Sequence, residues 1–121
     1  MSCEIVEMSG GLFVAKVSGL LKKIEVDQMQ KAAIKFMEAG GKVRLLIIAE
    51  AFKGWESKAD WGDVSFQMKY DGQIEKIAIV CEKRWEDMVS AFIGQGIRQV
   101  DIRNFQPAEL AAARTWIAHK P

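Results

Sequence analysis

The chain alternates short apolar runs, which predict strands, with amphipathic stretches, which predict helices. The runs Leu45-Leu46-Ile47-Ile48 and Ile77-Ala78-Ile79-Val80 show no polar alternation, a pattern typical of strands that are covered on both faces. Two earlier runs flank the turn signal Ser9-Gly10-Gly11 and predict a hairpin that ends at Gly19. The five predicted strands are residues 5–8, 12–17, 43–49, 74–80 and 97–102.

Four helices are predicted from apolar residues at helical spacing. The clearest is residues 26–39, whose apolar stripe runs from Met29 to Met37 and which Gly40-Gly41 ends. The last helix begins at Pro107, a residue that suits the first helical position, and Trp116 is expected to anchor it to the sheet. The other two predicted helices are residues 55–70 and 85–93.

These elements follow the order β-β-α-β-α-β-α-β-α along 121 residues. Strands that alternate with helices are typical of an α/β domain whose sheet is mostly parallel and covered by helices. The hairpin makes the first strand antiparallel to its partner, so we expect a mixed five-stranded sheet with about four helices. Half of the residues are hydrophobic, which is enough for one core, and residues 1–121 are expected to form a single domain.

Charge and composition narrow the classes of partner. The 17 basic and 16 acidic residues give a net charge of +1 and form no basic stripe, so nucleic acid is not an expected partner. The longest apolar run, residues 45–49, is too short to span a bilayer, and contact with a membrane surface stays an open alternative. Cys3 and Cys81 are expected to be free thiols, and no signal peptide is recognisable, so we expect a cytoplasmic location.

Residues with catalytic or metal-binding chemistry are sparse. His119 is the only histidine, and with two widely separated cysteines it predicts no metal site, no cofactor and no catalytic centre. Gly94-Gln95-Gly96 follows a predicted helix, so we interpret it as a helix cap and not as a phosphate loop. Carboxylates at the ends of three predicted strands are candidates for a ligand site, although strands commonly end at polar residues. They are Glu50, Glu82 and Asp101.

Residues 55–70 carry more apolar surface than one helix face needs. One stripe contains Trp55 and Phe66, and a second stripe, displaced around the axis, contains Trp61 and Met68. The second stripe needs a surface of its own, within the core, on another subunit or against an apolar ligand. We therefore expect either a patch with Trp61 and Met68 that binds a protein partner or a second copy in a homodimer, or else an apolar cavity. The cavity would be lined by Phe52, Trp55, Phe66, Trp85, Met88 and Phe92.

An ordered set of short motifs extends over nearly the whole chain. It comprises Phe52-Lys53-Gly54-Trp55, Ala59, Trp61, Asp63, Phe66, Lys76-Ile77-Ala78-Ile79-Val80, Trp85, Arg103-Asn104-Phe105, Glu109, Ala113 and Trp116-Ile117. In these motifs the chain resembles the STAS-like family around SpoIIAA, the sporulation anti-sigma-factor antagonist. The resemblance implies a STAS-like fold, related in shape to the lipid-carrying CRAL-TRIO domains, and it implies no enzyme activity.

The resemblance also implies that a regulatory serine would lie at the start of the helix after the third strand. That junction reads Glu50-Ala51-Phe52-Lys53-Gly54-Trp55, and the nearest hydroxyl, Ser57, falls inside the predicted helix. The leading hypothesis is therefore a non-enzymatic domain that binds a small apolar or amphipathic, lipid-like molecule or a protein partner. A regulatory signalling module of the anti-sigma-factor-antagonist type is the alternative.

Overall fold

Five strands and four helices form the fold in residues 2–96 and 98–119, which the computed structural model describes. The strands are β1 (Cys3–Ser9), β2 (Leu12–Leu21), β3 (Val43–Trp55), β4 (Ile74–Val80) and β5 (Asp101–Phe105). The helices are α1 (Lys23–Glu38), α2 (Ser65–Tyr70), α3 (Glu86–Ile93) and α4 (Leu110–Ala118). The strands form one sheet in chain order, with β1 antiparallel to β2 and all other neighbours parallel. The predicted order of elements and the mixed sheet are confirmed.

The helices that connect parallel strands cover one face of the sheet, and α4 covers the other. Each parallel strand is added beside the previous one, always in the same direction across the sheet. Right-handed crossovers then place every connecting helix on the same face of the sheet. Because side chains alternate across a strand, Phe13 and Ile77 pack with α1–α3, whereas Val14 and Ala78 pack with α4. The sheet therefore separates two cores.

The predicted helix at residues 55–70 is wrong over most of its length. β3 continues to Trp55, and residues 56–64 form turns and irregular chain. Only α2, with six residues, is helical. Trp61 and Met68 therefore do not lie on one helical stripe, and the expectation of a two-sided apolar helix does not hold.

Backbone conformation explains why the strand continues. Ala51 and Gly54 have positive φ angles of 49° and 104°, which an α-helix does not contain. They accompany two irregularities at which β3 carries one more residue than β2. These bulges let β3 keep pairing with β2 as far as Trp55 while they turn the end of the strand toward α3.

Two other strand limits differ from the prediction. β2 does not end at Gly19, because this glycine adopts a φ of 62° at the bulge and the strand continues beyond it. β5 lies further along the chain than the predicted residues 97–102, because Asp101 is the residue that pairs with Lys76 of β4. Ile97, where this strand was predicted to begin, lies outside the described residues.

The ends of the last two helices follow the predicted turn chemistry. Gly94 ends α3 with a φ of 76°, and its N–H donates to the carbonyls of Ser90 and Ala91, so the cap is confirmed. Pro107 opens a short 3₁₀ turn that leads into α4. The backbone N–H of Gln106 donates to the Glu109 carboxylate at 2.9 Å, which fixes the start of this turn.

Candidate functional site

Five aromatic side chains pack together where the bulged end of β3 meets α3. Ring centroids lie 4.9 Å apart for Phe52 and Trp85, 4.7 Å for Trp55 and Phe92, and 5.1 Å for Trp61 and Phe92. Most of the pairs are edge-to-face, an arrangement in which the ring quadrupoles attract. We call these five residues the aromatic cluster.

The backbone around the aromatic cluster holds its rings in place. Gly54, between Phe52 and Trp55 in β3, has a positive φ, and a Cβ on it would lie 3.8 Å from the Trp85 ring. Trp61 comes from the irregular chain after β3, where its indole N–H donates to the carbonyl of Glu56 at 2.8 Å. Rings from β3, from the chain after it, from the 3₁₀ turn Lys83–Trp85 and from α3 thus meet in one cluster.

An apolar cavity of about 160 Å³ lies beside the aromatic cluster, between the sheet and helices α1–α3. The helices pack loosely over this face, because α3 has no buried residue and Met37 is the only buried residue of α1. The sheet lines the cavity with Ala15, Val17, Leu45, Ile47, Ala49, Ile77 and Ile79. The helices line it with Val26, Met29, Phe66, Val89, Phe92 and Ile93.

Three polar side chains also line the cavity, and they differ in whether they are already engaged. Arg98 forms a two-bond ion pair with Asp71, at 2.9 and 2.5 Å, and so presents a neutralised charge. Gln30 extends from α1. The Oε1 atom of Gln67, in α2, is buried and has no hydrogen-bond partner among the described residues. A buried unpartnered amide oxygen is costly, and a donor on a bound molecule would satisfy it.

The two cysteines are free and buried, and both line the cavity. Burial, with the charges of Glu25 and Glu4 adding to it, raises the pKa of Cys3 to about 11. Burial also raises the pKa of Cys81. Both are thus neutral thiols at pH 7 and act as small apolar groups, not as nucleophiles.

The structure brings together most of the site residues that the sequence singled out, but it divides them into three groups. Phe52, Trp55, Phe66 and Phe92 line the cavity. Trp85 and Trp61 belong to the aromatic cluster without lining the cavity. Met68 and Met88 lie outside both, with 83% and 53% of their surface exposed.

The strand-end carboxylates do not form a shared site. Glu50 pairs with Lys16 at 2.9 Å, and Glu82 lies 3.5 Å from Arg84, all on the exposed surface. Asp101 starts β5 instead of ending it, because the strand is shifted along the chain, and it therefore lies toward the opposite end of the parallel strands from the other two. The expectation that all three stand at the ends of strands is wrong for Asp101 and also for Glu50, which lies within β3.

Other candidate chemistry is similarly dispersed. His119 Nδ1 lies 2.7 Å from the Thr115 carbonyl, at the exposed end of α4. Within residues 2–96 and 98–119, no three His, Cys, Asp or Glu side chains come together as metal ligands. In the same part of the chain, no helix is long and apolar enough to cross a membrane.

The serines near the third strand differ from the predicted arrangement. Ser57 lies in an exposed turn after β3, because the predicted helix does not form there. The helix after β3 begins at Ser65, whose hydroxyl donates to the Asp63 carboxylate at 2.7 Å. Sequence reasoning missed Ser65 because it started this helix at Trp55.

Sequence reasoning also missed the polar and sulfur-containing part of the cavity wall. Gln67 had no place in an apolar stripe, and Met29 was assigned only to the core face of α1. Cys3 and Cys81 could have been identified from the alternation of side chains along a strand. Strand residues that share a face with the cavity-lining residues also face the cavity.

The fold and the sequence place the chain in a known family. The family described as SpoIIAA-like matches residues 12–118. The chain belongs to the SpoIIAA-like family.

Among solved structures, the chain is similar to an uncharacterised protein from Shewanella loihica PV-4, of the DUF3478 family with a SpoIIAA-like fold. The two share 18% sequence identity with a TM-score of 0.72, over 97% of this chain and 94% of the other. At this identity the likeness shows the fold alone. A search of the curated proteins gave no match.

Proposed function

We infer that this SpoIIAA-like domain is a non-enzymatic binding domain that holds one small, mainly apolar molecule in the cavity between its sheet and helices α1–α3. The observation that supports this most is Gln67 Oε1, a buried acceptor without a partner among the described residues, in the wall of a mainly apolar cavity. An apolar cavity alone could stay empty. A buried oxygen that lacks a donor needs an explanation, and a ligand in the cavity that donates to it supplies one.

The volume limits the ligand. An apolar protein cavity of roughly 150 Å³ accommodates benzene, and the cavity here is about 160 Å³. The part of the ligand that enters is therefore one ring or a short branched chain, with a hydroxyl or N–H that reaches Gln67. A long lipid chain would not fit inside.

The direct test compares two ligands that differ in one donor. p-Cresol carries a ring and a hydroxyl, whereas toluene carries the ring alone, and binding of each can be followed by methyl NMR shifts of Met29. We expect p-cresol to bind more tightly, and Gln67→Met to remove its advantage over toluene, since the acceptor is then gone. Gln99→Met, at an exposed position between α3 and β5 that lines neither the cavity nor a neighbouring depression, is the matched control.

A cavity-filling variant tests the location independently. Ala49→Leu extends a side chain from the sheet into the cavity, and it should abolish binding of both ligands while circular dichroism stays native. Ala111→Leu makes the same change on the exposed surface of α4 and should have no effect on binding. Retained binding in Ala49→Leu would show that the cavity is not the site.

The signalling alternative is less favoured by the contacts of its candidate serines. A phosphate on Ser65 would lie beside the Asp63 carboxylate that its hydroxyl now contacts, and like charges repel. Ser57 is exposed, but it does not begin a helix. If Ser65→Asp changed partner binding while Ser65→Ala did not, this alternative would gain over the cavity hypothesis.

Binding of a protein partner, including a second copy of this chain, is the second candidate function. Val64 and Met68 near α2, and Met88 and Phe92 on α3, are exposed apolar residues. Such residues are typical of contact surfaces when they are contiguous. The Trp61 ring is half-buried against Phe92, so a docking patch would contain Met68 but little of Trp61.

A further inference from the structure

A second, open depression of about 520 Å³ lies between α1 and α2. We call it the α1–α2 groove. Gln30 and Phe66 line both this groove and the apolar cavity, so these two side chains form the wall between them. The cavity and the groove are therefore adjacent, and a ligand that spans both would pass these two side chains.

The groove is charged, in contrast to the cavity. Its wall contains three lysines and two aspartates, which leaves one net positive charge; they are Lys23, Lys31, Lys69, Asp27 and Asp63. Three of these side chains are already engaged. Lys23 binds Asp27 at 2.9 Å, one turn along α1, and Asp63 accepts from the N–H and hydroxyl of Ser65.

The remaining two lysines carry the surplus charge. Lys31 on α1 and Lys69 on α2 line opposite walls of the groove, and neither is in an ion pair among the residues 2–96 and 98–119. Lys69 does lie over the ring of its neighbour Tyr70, 5.4 Å from the ring centroid. Two ammonium groups without an ion-pair partner, in a groove that adjoins an apolar cavity, match an anionic end on a molecule whose other end is apolar.

We propose that the ligand is a small amphipathic carboxylic acid, with its ring or branched chain in the cavity and its carboxylate between Lys31 and Lys69. This inference rests on the proposed function, because it extends the same ligand outward from the cavity. A single negative charge suits the groove better than a phosphate dianion, since Asp27 and Asp63 also line it and repel a second charge.

The test uses two isosteric ligands whose ring hydroxyl can donate to Gln67, 3-(4-hydroxyphenyl)propanoate and the neutral 3-(4-hydroxyphenyl)propanamide, titrated against the full chain at pH 7 by calorimetry or NMR. The acid should bind roughly fivefold more tightly than the amide, the size expected of an exposed ion pair. This difference should shrink in high salt, because salt screens exposed charges. The amide, which has no charge, should be insensitive to salt.

Lysine variants locate the carboxylate. Lys31→Gln and Lys69→Gln should each weaken the binding of the acid about two- to fivefold and leave the affinity for the amide unchanged. Lys35→Gln, one turn further along α1 and outside the groove, should change neither ligand.

The outcomes separate this inference from the proposed function. If the amide binds and the acid binds no more tightly, the carboxylate is wrong and the cavity site stands. If the acid binds more tightly but Lys31→Gln and Lys69→Gln do not reduce its advantage, the groove is wrong as the location. If neither ligand binds to the wild type, both proposals fail.

Discussion

The guanidinium of Arg44 on β3 donates to the backbone carbonyls of Ile117 and Ala118, at 2.6 and 2.7 Å, and so binds the end of α4 to the sheet. Lys76, its neighbour on β4, donates in the same way to the carbonyls of Trp116 and His119, at 3.1 and 2.8 Å. The last carbonyls of a helix lack helical partners and carry the negative end of the helix dipole. Two buried cations therefore satisfy the end of α4 where it packs on the sheet.

Arg44→Met should destabilise the domain by about 2–3 kcal/mol, because it leaves carbonyls at the end of α4 without their charged donor. Methionine keeps most of the side-chain volume, so the loss of stability comes mainly from the missing hydrogen bonds and not from an empty space. Urea unfolding measures it. Arg114→Met, which removes an exposed pair with Glu7, is the control and should cost under about 1 kcal/mol. Equal losses would mean that Arg44 does not hold the helix.

Trp116 also connects α4 to the sheet, and its ring is half-buried and not fully buried. The ring lies between two cations, with Lys76 at 4.8 Å and Arg103 at 4.9 Å from its centroid. We expect Trp116→Ala to cost about 2–3 kcal/mol, from partial apolar burial and the two cation–π contacts. Trp116→Phe keeps a π face and should recover at least half of that loss in thermal or urea unfolding. A loss below about 1 kcal/mol for alanine would mean that the ring anchors nothing.

The parts of the fold that could be predicted are those that a local pattern determines. The buried strands around Leu46 and Ala78 are unbroken apolar runs, and the caps at Gly94 and Pro107 follow from backbone chemistry. The end of β3 could not be predicted, because its aromatic residues also match helical spacing. This segment is a strand because it pairs with β2 and because Ala51 has a positive φ. Alanine rarely adopts such a φ, so the sequence did not indicate it.

The candidate site was predicted in its aromatic residues but not in its geometry. Phe52 and Trp85 were recognised from composition and spacing, yet the cavity depends on how far the helices stand from the sheet. That distance is set by packing between segments that are remote in sequence. The polar wall at Gln67 was invisible for the same reason, since a glutamine on a short helix is usually exposed.

Gly54→Ala should destabilise the domain by about 1–2 kcal/mol, because alanine in a left-handed conformation is strained. A Cβ there would contact Trp85 at an ordinary distance of 3.8 Å, so the cost comes from the backbone and not from a clash. Gly72→Ala is the control, since Gly72 has open space around its Cβ position and no positive φ. The fluorescence of the aromatic cluster should shift in Gly54→Ala alone. Equal stability of the two variants would contradict the role assigned to Gly54.

A homodimer stays a prediction, and Met68 is its most direct test because 83% of its surface is exposed. Met68→Glu should dissociate a dimer in sedimentation experiments without loss of stability, since no core contact is removed. Met8→Glu, at a position that is 62% exposed on β1, is the matched control. A wild type that is monomeric at all concentrations would disprove self-association, and a dimer that survives Met68→Glu would place the interface elsewhere.

Cys3 makes the stability of the domain sensitive to alkaline pH. Burial raises its pKa from 9.0 to about 11 in the folded chain, so folding favours the neutral thiol. Between these values the unfolded chain releases the proton while the folded chain keeps it, and stability is lost as pH rises through this range. Below pH 9 both states are protonated, and the contribution of Cys3 is fully present.

Cys3→Ala should therefore flatten the decline in unfolding free energy between about pH 9 and pH 11, although it lowers stability at pH 7 by removing a buried side chain. The difference between wild type and variant isolates Cys3, because every other ionisable group is present in both. Urea unfolding at pH 7, 9 and 10 measures both curves. Parallel curves would mean that the thiol has an ordinary pKa and that water reaches it, in which case the cavity that Cys3 lines is open to solvent. A curve that flattens in the variant would show that folding raises the pKa of Cys3, as its burial in the cavity wall and the nearby charges of Glu25 and Glu4 require.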